Sequence, residues 1–319
     1  MEKNIDRKKA FDLAKKLLEK GDYSTGYYME DSGKTYCTHD TREDWNKFVK
    51  EMKELYFNAY NRYRNCPGSE MKEDYNKRWK RKMPPKMASY GSSSRFIYEK
   101  SREISSFVFE EPLPICIPSG RNSETNANLD GYIPSAGIYV EAKCHEFYSS
   151  NSTEFKEKYE DFYDYLKEKT GKFGYHVNLG PKTPTVSFTW DGKPLTQFDF
   201  KQVLCHLMGI ARRSLEEQGK HSPKLVYLVY KPSDELLKNV ESIKDKRAAK
   251  SIKHCWETEK KEASEIIDYS LLYRCVVYYM HDHYNIGADL PVDQLKRIAN
   301  TFTFQFCDQD GYFEALGVE

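Results

Sequence analysis

The stretch Leu129-Asp-Gly-Tyr-Ile133, the turn Pro134-Ser-Ala-Gly137 and the segment Ile138-Tyr-Val-Glu-Ala-Lys-Cys144 decide how this chain folds. Both outer segments are rich in aromatic and β-branched residues, so they predict two neighbouring strands joined by the turn. Alternate side chains of a strand share a face, and Glu141 and Lys143 therefore point to the same side. Two opposite charges on one face of an apolar strand need an explanation, because buried charge is costly unless it is paired or bound to a metal.

Asp130 adds a second carboxylate on the preceding strand. Neighbouring strands lie about 4.8 Å apart, so the carboxylates of Asp130 and Glu141 can converge on one divalent ion. Mg²⁺ favours such a site, because it is held by one or two carboxylates together with waters and a substrate phosphate. Lys143 would then orient the attacking water and stabilise charge on the phosphorus centre. The alternative explanation is a salt bridge between Glu141 and Lys143 at a sheet edge.

The flanking segments predict an α/β domain. A helix is expected to begin at Ser92-Ser-Ser94 and to continue to about Glu110, followed by a strand at Leu113–Ile117. Downstream, Phe200–Gln218 has the periodicity of an amphipathic helix, and Pro223–Tyr230 is a continuous apolar strand. The order helix, three strands, helix, strand predicts a mixed sheet with helices on its faces.

Three parts of the chain differ in character. Residues 1–85 are predicted to form a basic helical extension, with apolar side chains at helical spacing between Trp45 and Tyr63. Residues 86–232 are predicted to form the α/β core, which carries an insertion at about 147–199. Residues 233–319 are predicted to form a helical C-terminal part packed on the core.

The charge balance excludes some classes of protein and localises phosphate attraction. With 50 basic and 49 acidic residues, the chain is neither a uniformly basic nucleic-acid binder nor an acidic tail protein. Residues 1–90 hold 21 basic and 15 acidic residues, whereas residues 255–319 hold 5 and 12. Contact with phosphate is therefore expected on the N-terminal side. The candidate nucleic-acid contacts are Lys80, Arg81 and Lys82 in a basic run and Arg121 in the predicted loop Ser119–Asn128.

The composition predicts a cytoplasmic protein that does not enter the membrane. No apolar run approaches the length of about 18 residues that a membrane span needs, and the first residues lack the apolar stretch of a signal peptide. Eight cysteines are scattered without paired spacing, which is typical of a reducing compartment. Three of them stand beside a histidine, but none has the spacing of a zinc site.

At Asp130 and Glu141-Ala-Lys143 the chain resembles the PD-(D/E)xK nuclease superfamily, and within it the type II restriction-endonuclease-like proteins. Leu129-Asp130 stands where that family has Pro-Asp, and Glu141-Ala-Lys143 stands where it has (D/E)xK. The resemblance spans residues 91–231 and includes the predicted order of elements. It implies a restriction-endonuclease-like core with helical N- and C-terminal extensions.

The same resemblance implies roles for individual residues. Mg²⁺, with Mn²⁺ as a substitute, would be held by carboxylates of two strands and by one acid of the first core helix, and a glutamine of the second helix would face the site. His206, on the same face of that second helix, is expected to be a structural histidine. The implied metal ligands are Glu99, Asp130 and Glu141, with the Ala142 carbonyl as a further ligand and Glu103 as the alternative to Glu99; the implied catalytic residues are Asp130, Glu141, Lys143 and Gln202.

These expectations together describe a Mg²⁺-dependent deoxyribonuclease that hydrolyses DNA phosphodiester bonds and leaves 5′-phosphates. Cutting both strands of a duplex would favour a two-fold homodimer, and no nucleotide cofactor is expected. One alternative is a non-catalytic, RNA-directed or repair-directed nucleic-acid-binding protein on the same fold. A Cys/His hydrolase is another alternative, and a tyrosine-rich scaffold that binds partners through its C-terminal part, including His281-Asp-His283, is a third.

Overall fold

The computed structural model describes most of the chain after residue 41 and two short strands before it. The described residues are 27–29, 35–37, 42–66, 68, 70–72, 74–76, 81–83, 85–88, 92–120, 123–144, 153–180, 183–231, 234 and 246–317.

The described chain contains runs of strands separated by helices. The strands are β1 Tyr27–Met29, β2 Thr35–Cys37, β3 Asp74–Asn76, β4 Arg81–Met83, β5 Val108–Gly120, β6 Ser123–Ile133, β7 Ile138–Lys143, β8 Thr153–Glu154, β9 Phe173–Asn178, β10 Thr185–Trp190, β11 Lys193–Leu195, β12 Lys224–Val229 and β13 Thr303–Cys307. The α-helices are α1 Arg42–Leu55, α2 Phe57–Asn65, α3 Ser93–Ser101, α4 Glu160–Thr170, α5 Phe200–Glu216, α6 Lys246–Lys261, α7 Tyr269–Tyr284, α8 Val292–Ala299 and α9 Tyr312–Leu316.

A five-stranded mixed sheet forms the centre of the molecule, in the order β13-β12-β7-β6-β5. Strand β6 pairs antiparallel with both β5 and β7. Strand β12 runs parallel to both β7 and β13. The central strands β7 and β12 are buried on both faces, which explains their nearly continuous apolar sequences.

Helices cover both faces of this sheet and define two core clusters. On one face, α4, α5 and α7 pack with aromatic side chains of the insertion, and Trp190 and Phe162 are fully buried there. On the other face, α3 packs on β6 and β7, α2 on β5 and α9 on β12 and β13, and Tyr63, Tyr98 and Tyr312 lie in the core that they form. The fold is therefore a mixed α/β layer structure.

The insertion between β7 and α5 folds as a small layer of its own. Its strands β8, β9, β10 and β11 form an antiparallel sheet in which β10 pairs with all three others. The hairpin from β10 to β11 turns at Asp191 and Gly192, both of which have positive φ, as a tight hairpin turn requires.

Helix α5 is held against the sheet at several points. The Asp199 side chain caps its first turn by accepting a hydrogen bond from the backbone N–H of Gln202 at 3.2 Å. Gly209 lets the helix approach β5, because a Cβ there would lie 2.4 Å from the Leu113 Cβ. The buried Glu262 carboxyl oxygens accept hydrogen bonds from the backbone amides of residues 196–198, just before the helix.

The α/β prediction with a mixed sheet between helices is confirmed, and the observed order of core elements is α3, β5, β6, β7, α5 and β12. Helix α3 begins where Ser92 caps the Arg95 amide, as predicted. The C-terminal segment also supplies a strand, because β13 extends the sheet beyond β12. No helix in the described part of the chain combines the length and apolar character needed to cross a membrane.

Three local predictions were wrong. The helix predicted to reach Glu110 ends at Ser101, because the alternating residues Phe107 and Phe109 pack on the sheet as part of the approach to β5. Residues 123–128 of the predicted loop belong to β6, where the exposed Asn126 and Asn128 flank the buried Ala127. The N-terminal extension is not wholly helical, since β1 pairs with β2 and β3 pairs with β4.

Replacing Glu262 tests how α5 is anchored. Glu262→Ala leaves several backbone amides without acceptors beneath the start of α5, and we expect it to lower the free energy of unfolding by about 3 kcal/mol. Urea denaturation followed by circular dichroism measures the change. Glu265→Ala is the matched control, because Glu265 is exposed on the following turn. Equal stability of the two variants would contradict this anchoring.

Candidate active site

The strands β6 and β7 separate at the position of Asp130. Their pairing covers residues 131–133 against 138–140 and then stops. Beyond that point the Asp130 carboxylate takes the place of a strand carbonyl, because its Oδ2 accepts a hydrogen bond from the Ala142 amide at 2.7 Å. The gap between the two strands leaves space for a cavity at the centre of the sheet.

Glu141 and Lys143 form a buried ion pair on β7. Glu141 is only 2% exposed to solvent and Lys143 only 7%. The Lys143 Nζ lies 2.9 Å from Glu141 Oε1. Gln202 on α5 bridges the pair, because its Nε2 donates to Glu141 Oε1 at 2.7 Å and its Oε1 accepts from Lys143 Nζ. Each charge therefore has partners, which a buried ion pair requires.

Two further side chains lie close to this ion pair, one on α5 and one just before that helix. His206, one helical turn after Gln202, places Nε2 2.9 Å from Glu141 Oε2. Asp199, the cap of α5, has Oδ2 4.0 Å from Lys143 Nζ. Burial alone would raise the pKa of Glu141, but the charges and hydrogen bonds of Lys143 and His206 outweigh it and hold the pKa at about 2.

Two other carboxyl groups at this point behave in the opposite way. Burial is the largest cause that raises the pKa of Asp130 well above its ordinary value, and repulsion from Glu141 and Glu110 adds to it. Burial and repulsion from Glu70 raise the pKa of Glu110 to about 7, although Ser94 Oγ donates a hydrogen bond to Glu110 Oε1 at 3.2 Å. The site thus combines one firmly ionised carboxylate with two that readily hold a proton.

Glu110 has an unusual backbone conformation. Its φ is +52°, in the left-handed region that a non-glycine residue rarely adopts. It lies opposite Asp130 in the antiparallel register of β5 and β6, between the pairs that Phe109 and Glu111 make. Such strain persists only where the surrounding structure enforces it, and it is concentrated at functional sites.

A cavity of about 230 Å³ joins these groups. Its wall holds four carboxyl groups and two lysines, and one of these lysines, Lys86, donates to Glu70 Oε1 at 2.9 Å. The Cys66 thiol also donates to Glu70, at 3.1 Å. The lining residues are Gly68, Glu70, Lys86, Ser93, Ser94, Glu110, Asn128, Leu129, Asp130, Glu141, Lys143 and Gln202.

The structure brings Asp130, Glu141, Lys143 and Gln202 together, but it does not bring the expected helix acid to them. The Glu99 carboxylate lies 3.3 Å from Arg102 and is absent from the cavity wall. Glu103, the alternative, accepts a hydrogen bond from the Tyr56 hydroxyl on the outer side of α3. Glu99 lies within α3 but faces Arg102 rather than the strands, whereas Glu110 on β5 stands in the cavity wall.

The candidate nucleic-acid contacts are only partly described. Lys80 and Arg121 lie outside the described residues, and Arg81 and Lys82 belong to β4, whose side chains are also outside the description. The sequence interpretation missed Glu70, Lys86, Ser94 and Glu110 as members of the cavity wall. A strand beginning at Val108, with Phe107 and Phe109 alternating, is the sequence signal that would have placed Glu110 beside Asp130.

The cavity wall carries carboxyl oxygens, which are the ligands that Mg²⁺ prefers. Among the side chains that the structure describes, no group of three His, Cys, Asp or Glu residues is arranged to hold a metal. Mg²⁺ needs fewer protein ligands, because water and substrate oxygens complete its octahedron. Asp130 offers such a carboxyl group: it is half-buried and repelled by Glu141 and Glu110, and a bound cation would relieve that repulsion.

Comparisons with protein-family models, curated proteins and solved structures found no match to this chain.

The raised pKa of Glu110 predicts a pH-dependent contribution to stability. A carboxyl group with a folded-state pKa near 7 and an ordinary unfolded value takes up a proton on folding. Its contribution is fully present below the unfolded value and is lost as pH rises through 7. Glu110→Gln cannot titrate, so the stability of the wild type relative to this variant should fall between pH 5 and pH 8. Urea unfolding at both pH values measures it, and a constant difference would contradict the burial of Glu110.

Proposed function

We propose that this chain is a Mg²⁺-dependent endonuclease that hydrolyses DNA phosphodiester bonds on a restriction-endonuclease-like core. The convergence of Asp130, Glu141 and Lys143 where β6 and β7 separate is the observation that carries the proposal. The order α3, β5, β6, β7, α5, β12 supports it, since the PD-(D/E)xK resemblance implies the same order. In this proposal, the insertion and the N-terminal helices are additions to that core.

Asp130 and Glu141 would hold the cation, with the Ala142 carbonyl and Glu110 beside them. Bound Mg²⁺ would supply Lewis-acid stabilisation of the phosphate that is attacked. Glu141 suits this role because its pKa of about 2 keeps it ionised at any physiological pH. Glu110, from β5, would take the role that the family resemblance implied for Glu99.

Lys143 would orient the attacking water and stabilise negative charge on the phosphate. Its ammonium group is held by Glu141 and by the Gln202 carbonyl oxygen, so it reaches the cavity in a defined position. Gln202 acts as the positioning residue, because its amide bonds to both members of the pair at once. A preorganised charge of this kind is more effective in a water-poor cavity than in bulk solvent.

Substitution of the two central residues tests the activity. Asp130→Asn and Lys143→Met keep the side-chain size, and we expect each to slow Mg²⁺-dependent cleavage of supercoiled plasmid by about 100-fold or more. Glu99→Gln is the matched control and should stay within about threefold of the wild type, because Glu99 pairs with Arg102 outside the cavity. Cleavage by Asp130→Asn and Lys143→Met at the wild-type rate would contradict the assignment.

Mg²⁺ binding can be measured without any substrate. Since protons on Asp130 and Glu110 compete with the cation, Mg²⁺ should raise the melting temperature more at pH 8 than at pH 6. The shift should disappear in Asp130→Asn, whereas Glu99→Gln should retain it. An equal shift in the wild type and in Asp130→Asn would place the cation elsewhere.

A non-catalytic nucleic-acid-binding protein on this fold is the second candidate. One observation favours it, namely that Glu141 Oε1 is already engaged by Gln202 and Lys143 while His206 lies 2.9 Å from Oε2. A binding protein would retain DNA with a steep salt dependence and would show neither Mg²⁺-dependent cleavage nor the pH-dependent Mg²⁺ shift. The two experiments above therefore separate the two functions.

A further inference from the structure

A larger cleft adjoins the candidate active site. Its volume is about 610 Å³, and it lies between α2, the turn before β5, and the strands β5 and β6. It shares Glu110 and Asn128 with the wall of the catalytic cavity, so the two spaces are immediate neighbours. A volume of this size falls within the range of roughly 300–1,000 Å³ that is typical of ligand pockets.

Three asparagines of α2 line one side of the cleft. Asn58, Asn61 and Asn65 are three and four residues apart, so they lie on one face of the helix. The buried Tyr63 anchors another side of the helix, where its hydroxyl donates to the Ser94 carbonyl at 3.0 Å. Asparagine is a poor helix former, so three of them in a nine-residue helix do not serve its stability.

The other side of the cleft also carries amides. Asn126 and Asn128 occupy alternate positions of β6, and both are exposed while Ala127 and Leu129 between and after them are buried. Asp130 is the next alternate position on the same strand. The strand that supplies the catalytic carboxylate therefore also presents two amides to the cleft, within about 7–14 Å of it along the chain.

The chemistry of the cleft matches the edges of nucleobases. A carboxamide offers a donor and an acceptor side by side, which is the pattern that pairs with N7 and the N6 amino group of adenine. In the described part of the chain, no hydrogen bond engages the side-chain amides of Asn58, Asn61, Asn65, Asn126 or Asn128. Arg62 stands among them and adds a positive charge, loosely paired with Glu111 at 3.8 Å.

We propose that this asparagine cleft reads bases of the nucleic-acid substrate, with a preference for adenine next to the cleaved phosphate. The inference rests on the proposed nuclease function, because it takes the catalytic cavity as the place of the scissile phosphate. The α2 asparagines and Asn128 set the specificity, while the ion pair of β7 and Gln202 carry the chemistry. The N-terminal helical segment is thereby a recognition element of the enzyme.

Equilibrium selection from a randomised DNA duplex tests the proposal in the full-length protein. The wild type, in buffer with Ca²⁺ in place of Mg²⁺, should enrich adenine at defined positions, and Asn58→Ala/Asn61→Ala/Asn65→Ala should lose that enrichment about tenfold or more. Replacing the enriched adenine by 7-deazaadenine should weaken binding by the wild type and leave binding by the triple variant unchanged. Alanine favours helices, so the triple variant should melt at or above the wild-type temperature.

Asn178→Ala is the matched control, because Asn178 is exposed at the end of β9 in the insertion, and it should retain the wild-type base preference. Absence of enrichment by the wild type, or the same enrichment by the triple variant, would overturn the base-reading role. Plasmid cleavage by the same proteins is scored separately. Enrichment without cleavage would overturn the nuclease function and leave base reading by the cleft supported. Cleavage without enrichment would support the nuclease function and overturn base reading by the cleft.

Discussion

A charged pair on a strand that is buried on both faces is the constraint on which the centre of this molecule depends. Glu141 and Lys143 cannot be left without partners there, because an uncompensated buried charge costs several kcal/mol. Gln202 meets both of them from α5, and His206 approaches the remaining Glu141 oxygen. The position of α5 on the sheet is thus set by polar contacts as well as by apolar packing.

The anchoring of α5 extends well beyond those contacts. Gly209 permits the close approach of α5 to β5, and Asp199 caps its first turn. The Glu262 carboxylate accepts hydrogen bonds from the backbone amides that precede the helix. Leu113 of β5 and Glu262 are both distant from α5 in sequence, so the site geometry reflects long-range structure. The same reasoning applies to Glu110, whose left-handed backbone is imposed by its neighbours in β5 and β6.

Residue patterns predicted the parts of the site that depend on local structure. Alternation along β7 placed Glu141 and Lys143 on one face, and the strong periodicity of α5 placed Gln202 and His206 one turn apart. Glu110 escaped prediction because Phe107, Val108 and Phe109 satisfy helical spacing almost as well as strand alternation. The five asparagines of the cleft could not be grouped from sequence, since α2 and β6 meet only after the sheet has formed.

The parallel pairing of β7 with β12 imposes an order on folding. Lys143 lies opposite Val229 in that register, so the whole segment 144–223 must be enclosed before the two central strands can pair. Such non-local pairing is slow, because the entropy of closing the loop is lost before any contact compensates for it. The antiparallel strands β9 and β10 are close in sequence and can form first, which shortens the effective loop. Because Glu141 and Lys143 lie within that paired register, the cavity beside them is completed only when this long-range pairing has formed.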